Sequence, residues 1–126
     1  MCFLAFDTWT HAQDVRAAVD APAIHDEPLV TSLAEYALAT FRGFYAKSAA
    51  PPIQIIVDGD AYVLGSGDDD AAPSLTLETT SYELLRILFG RRSVDQVRAA
   101  RWSGGDQEAA VQALHIFDHQ PADRTD

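Results

Sequence analysis

The chain has 126 residues, and 9 Lys+Arg against 19 Asp+Glu leave a formal net charge of −10. Hydrophobic residues make up 48% and charged residues 22%, the mixture of one ordinary globular domain rather than a disordered chain. Such acidity argues against nucleic acid or anionic lipid as a partner, because both are bound through clustered basic side chains.

The longest apolar runs, such as Ile55-Ile56-Val57, fall far short of the roughly 20 residues that cross a bilayer. The opening shows no charged region ahead of an apolar core, and the single cysteine, Cys2, has no partner for an internal disulfide. A reducing cytoplasm is the expected location.

In chain order, the first pattern reads as a helix from the N-terminus to about Val19. It begins without a capping residue, and Cys2-Phe3-Leu4-Ala5-Phe6 needs something apolar to pack on. A helix of this kind is expected to be the last member of a larger bundle, broken at Ala21-Pro22-Ala23. Asp26, Glu27 and Pro28 then suit the first turn of a second helix, where acidic groups complement the dipole. Leu29, Leu33, Tyr36, Ala37, Phe41 and Phe44 recur at helical spacing to about Lys47, and the aromatics among them, with Tyr45, are expected to be core.

A β region follows. Ile53, Ile55 and Val57 form one strand and Asp60 to Leu64 its return, with Asp58-Gly59 between them as a hairpin turn that needs positive φ. Gly65 to Pro73 reads as an acidic loop, and Leu75, Leu77 and Thr79 as a third strand with one buried face.

Thr80-Ser81-Tyr82-Glu83 is a capping box for a helix through Phe89, stopped by Gly90. Ser93-Val94-Asp95-Gln96 is a second box opening a short helix to about Ala100. Arg101-Trp102-Ser103 reads as a last strand, and a final helix ends near Phe117. The sum is an α+β fold: a small, mostly antiparallel sheet with helices on one face.

Asp7, His11 and Asp14 lie at i, i+4 and i+7, on one side of the first helix. A carboxylate one turn from an imidazole can hold a divalent metal, although zinc takes three or four protein ligands. By spacing alone the solvated polar face of an amphipathic helix is the better reading of these residues. His115 and His119 repeat the spacing where a helix is ending, and read as a polar terminus. Asp68-Asp69-Asp70 lacks the alternating oxygens of a calcium loop. Arg91 and Arg92 could meet an anion, or the dipole of the helix they follow.

The stretch Phe6-Asp7-Thr8-Trp9-Thr10-His11-Ala12-Gln13-Asp14-Val15-Arg16-Ala17-Ala18 resembles the last bundle helix of the mycothiol-dependent maleylpyruvate isomerase family, with Trp9-x-His11-x-Gln13-Asp14-x-Arg16 its most specific part. The remainder, most typically Ser74-Leu75-Thr76-Leu77 and Leu84-Leu85-Arg86-Ile87-Leu88-Phe89-Gly90-Arg91-Arg92, is similar to that family's sterol-carrier-like C-terminal domain. The resemblance implies residues 1–20 as the final helix of a DinB-like metal-binding bundle, 21–118 as the α+β domain and 119–126 as a tail.

It further implies Asp7 and His11 as metal ligands, with Asp where the family commonly has Glu. Zinc is the implied metal and mycothiol the implied thiol cofactor, with a small-molecule substrate once further helices complete the site. The first three bundle helices, including the one that brings another histidine, have no counterpart in this sequence. Isomerase activity is therefore not expected of the chain alone. Two other functions fit the pattern: a standalone module that encloses an apolar ligand, and a module that dimerises through the exposed face of the first helix. No motif marks a catalytic residue, and Arg91, Arg92 and Arg101 match none.

Overall fold

The computed structural model describes residues 2–22, 27–65 and 73–116, with side chains from Asp7 onward. Its elements are α1 (Cys2–Ala18), α2 (Glu27–Ala46), β1 (Ile53–Val57), β2 (Asp60–Leu64), β3 (Leu75–Thr79), α3 (Ser81–Leu88), α4 (Val94–Arg98), β4 (Arg101–Ser103) and α5 (Glu108–Leu114). The fold is α+β, as expected. The acidic run Asp68-Asp69-Asp70, the side chains of Phe3 to Phe6, and His119 lie outside the described residues.

The sheet order is β2-β1-β3-β4. β1 pairs antiparallel with β2, and β3 antiparallel with β4, while β1 and β3 run parallel. β2 takes one edge of β1 and ends beside Ile53, where β1 begins, and β3 starts from that same end on the other edge, so it runs parallel to β1. Its register sets Ile53 beside Leu75 and Ile55 beside Leu77. With period-two alternation these four residues fall on one face, and all four are buried.

The hairpin turns at Asp58 (φ 50°) and Gly59 (φ 91°), both left-handed, as a two-residue turn with the twist of its strands requires. Asp58 is more than a turn residue. Its Oδ2 accepts hydrogen bonds from Ser81 N–H at 3.0 Å and Ser81 Oγ at 2.7 Å, which ties the hairpin to the first turn of α3.

Helices cover the buried face. α2 contributes Leu33, Ala37, Leu38, Phe41 and Tyr45 to the core, and α3 contributes Leu84, Leu85 and Leu88. The aromatic expectation holds for half of its residues. Phe41 and Tyr45 are buried, but Tyr36 and Phe44 are 40% and 56% exposed. The reason is angular: Ala37, Phe41 and Tyr45 form one i, i+4 row, and Tyr36 and Phe44 belong to the neighbouring row, about 100° away around the helix.

The helix ends follow local chemistry. Ser93 and Gln96 form a reciprocal capping box at α4. Thr80 caps α3 by accepting from Glu83 N–H at 3.1 Å. At the other end of α3, Gly90 (φ 77°) donates to Ile87 O, and Arg91 N–H reaches back to Arg86 O at 2.8 Å. This paired 5→2 and 6→1 pattern is a Schellman turn, which needs a left-handed residue that glycine supplies without strain. α1 ends in the same pattern, with Asp20 (φ 55°) in the glycine position and Ala21 N–H bonded to Arg16 O at 2.8 Å. Among the described residues no helix is long and apolar enough to cross a membrane.

Candidate functional site

α1 reaches α3 through two side-chain contacts, in the same order along both helices. Near the start of both, Trp9 meets Tyr82 edge-on with ring centroids 5.6 Å apart. Towards their ends, Asp14 meets two arginines. The Schellman turn after α3 folds the chain back, which carries Arg91 to the side of α1. Arg91 Nη2 donates to Asp14 Oδ2 at 2.6 Å, and Arg91 Nε lies 3.2 and 3.3 Å from the two carboxylate oxygens. Arg86, on α3 itself and fully buried, donates from Nη2 to Asp14 Oδ1 at 3.4 Å. Two cations thus converge on one carboxylate that is itself only 23% exposed. Charge-assisted forks of this kind fix orientation as well as position.

The next arginine goes elsewhere. Arg92 lays both arms on Glu83, Nε to Oε1 at 2.6 Å and Nη2 to Oε2 at 3.0 Å, and donates from Nη1 to Arg91 O. Arg91 and Arg92 therefore already hold carboxylates of this chain, rather than presenting an open anion site. Arg101 stands apart on β4, well exposed, 3.7 Å from Glu78.

With Trp9, Thr10 and Gln13 buried on one side of α1, Asp7 and His11 fall on its exposed side. Their side chains are 57% and 64% exposed, and His11 Nε2 lies 3.2 Å from Asp7 Oδ1. His11 Nδ1 faces Asp14 Oδ2 across 4.0 Å, beyond hydrogen-bond range but within reach of charge. The three residues taken together from the sequence line up rather than meet at one point: Asp7, then His11, then Asp14, with Arg91 beyond Asp14.

The donor pair fits one edge of a zinc shell. Bonds of about 2.0 to 2.2 Å in a tetrahedron set neighbouring donors roughly 3.3 Å apart, close to the 3.2 Å separation of His11 Nε2 and Asp7 Oδ1. Asp14 stands on the far side of the imidazole, where metal-bound histidines usually find an orienting carboxylate. Among the described residues no group of three or more His, Cys, Asp or Glu gathers at one point. The pair is half of a site.

Two clefts lie away from these residues. One, of about 510 Å³, is lined by Glu27, Val30, Thr31, Asp58, Thr80, Ser81 and Tyr82. The other, of about 430 Å³, opens on the far side of the same turn and takes in Glu78, Glu83 and Arg101. Both carry acids and hydroxyls in their lining, beside Val30 and Tyr82 in the first and Ala100 and Arg101 in the second. His115 ends α5, and its Nε2 is buried with no hydrogen-bond partner among the described residues.

The clamp on Asp14 is what sequence reasoning missed. A signal did exist, since Arg86 interrupts the apolar run Leu84 to Leu88, and a cation inside a buried run calls for a carboxylate partner. The partner itself is 72 positions away and leaves no local trace.

Comparison of the chain with protein-family models, with curated proteins and with solved structures finds no match.

Proposed function

We propose that this chain is the C-terminal portion of a divalent-metal-dependent thiol enzyme of the mycothiol-dependent maleylpyruvate isomerase type, acting in a reducing cytoplasm. In this reading α1 contributes Asp7 and His11 to the metal, and the α+β module holds that helix in place. The observation that carries it is the Asp7–His11 pair, 3.2 Å apart on the exposed side of a helix that is fastened one turn further along, through Asp14, to Arg91.

A divalent ion, zinc by the nitrogen-and-oxygen donor set, supplies the charge that lowers the pKa of a bound thiol such as mycothiol. The residues of this chain bind and orient: Asp7 and His11 as donors, Asp14 behind the imidazole, and Arg86 and Arg91 holding Asp14. Catalytic zinc takes three protein ligands, and two are present among the described residues, so the chain alone is not a competent isomerase. An apolar-ligand carrier has less to support it. Phe41 and Tyr45 fill the core, and both clefts are lined by acids and hydroxyls.

The test is zinc binding, measured by competition with a chromogenic chelator, for the wild type, Asp7→Ala and His11→Ala. The expected result is binding by the wild type and a loss of at least about tenfold in each variant. Equal binding by all three proteins overturns the assignment.

A further inference from the structure

The exposed side of α1 holds more than the donor pair. Asp7, His11, Val15 and Val19 follow one another at intervals of four, so they form a single row along the helix. The two valines are 63% and 69% exposed, the most exposed large apolar side chains in the described structure. Rows at i±4 are the ridges by which helices interdigitate in their commonest packing class. A row that begins with two metal donors and continues with two uncovered valines is shaped for another helix that also brings donors.

We infer that a second copy of this chain completes the metal site: two α1 helices cross about a two-fold axis, and one zinc ion takes Asp7 and His11 from each. This rests on the proposed role of Asp7 and His11 as ligands and names the partner of that site. The stoichiometry closes. A two-fold axis converts two donors into four, the number a closed tetrahedral zinc site takes. In the paired chain the metal is thus a bridge with no position open to a thiol, in keeping with a chain that alone is not a competent isomerase. The charge closes as well, because two carboxylates and two neutral imidazoles balance one divalent cation. Each copy carries a formal charge of −10, so without metal the copies repel one another. The pairing is accordingly metal-dependent. The small neighbours Thr8 and Ala12, both exposed, leave room for the close approach, and Val15 of each copy covers apolar surface of the other helix.

The experiment is sedimentation equilibrium on the full chain in the presence of a phosphine reductant, which prevents oxidation of Cys2, with zinc added in steps. The expected result is a rise from 13.7 kDa to twice that mass, complete at one zinc per two chains and reversed by a chelator. His11→Ala is expected to remain at the monomer mass. Val15→Glu, which leaves both donors in place and changes only an exposed position, is expected to weaken the zinc-induced association at least tenfold while the circular dichroism spectrum stays that of the wild type.

A wild-type chain that binds zinc one-to-one and stays monomeric overturns the second copy and leaves the ligand assignment standing. A chain that binds no zinc overturns both. A dimer that persists in chelator, or one that His11→Ala still forms with zinc, overturns the metal bridge.

Discussion

Arg91 Nη2 donates to Asp14 Oδ2 at 2.6 Å, joining the first helix to the turn that follows α3 across 77 positions of sequence. That contact ties down the second half of α1, where Asp14 stands at the margin of the exposed side. Trp9, Thr10 and Gln13 are buried on one side of α1, and His11 and Asp7, one and two turns before Asp14 along the other side, are left towards solvent.

Removing the carboxylate should therefore affect folding before it affects any ligand. Asp14→Ala leaves Arg86 buried beside an apolar side chain, and loss of one partner from a buried ion pair costs about 3 to 5 kcal/mol. Since Asp14 is 23% exposed, solvent compensates in part, and the low end, about 3 kcal/mol, is expected. Urea unfolding monitored by far-ultraviolet circular dichroism measures it. A change under about 0.5 kcal/mol, the range of an ordinary surface substitution, is incompatible with the clamp.

A neighbouring residue points the other way. Thr10 is buried at 4% exposure, and its Oγ1 has no hydrogen-bond partner among the described residues. Valine has the same shape without the hydroxyl, so Thr10→Val should stabilise the chain by about 1 kcal/mol. The same urea titration reads this as a higher midpoint with unchanged slope. A fall in the midpoint would reveal that the hydroxyl has a partner.

The β3–β4 junction has a position that admits only glycine. Gly104 adopts φ +109°, and a Cβ placed there would lie 2.1 Å from Ser74 O. Gly104→Ala must pull β4 away from β3, with an expected loss of about 3 kcal/mol from backbone strain and overlap combined. Gly43, whose added Cβ would meet nothing within 4 Å, is the control, and Gly43→Ala inside α2 should be neutral or mildly stabilising.

The acid limb of stability should run partly through Glu108. Hydrogen bonds from Arg98, first, and then from Gln112 hold its carboxyl down from 4.5 to about 2. A depressed carboxylate stabilises the fold above its unfolded value, and that contribution disappears as pH falls from about 4.5 through 2. Thermal melts of Glu108→Gln against wild type should differ at neutral pH and converge below pH 2. Both partners are substantially exposed, so added salt should shrink the difference.

Much of this architecture was legible in the residues because its signals are local. Asp58-Gly59 turned where it was expected to, and Ser93 and Gln96 formed their box. At α3 only part of the expected box is met in that way. Thr80 accepts from Glu83 N–H, while the Glu83 carboxylate is taken by both arms of Arg92 nine positions on. A bidentate charge pair outcompetes a neutral backbone donor for the same oxygens. The same competition explains Arg91 and Arg92, which as a sequence pair could have faced an anion or a dipole and in the fold each hold a carboxylate.

By itself the sequence determined which helices and strands form, in what order, and their bounds to within about a turn, because caps, turn residues and periodicity act over one to four positions. Only the tertiary structure decided that β3 runs parallel to β1, that Tyr36 and Phe44 stay exposed, and that the Asp7–His11 pair faces outward while Asp14 is clamped by Arg86 and Arg91. Those outcomes depend on residues 22 to 77 positions apart, and contacts at that distance are set by which surfaces can be buried together, a property no short stretch of sequence contains.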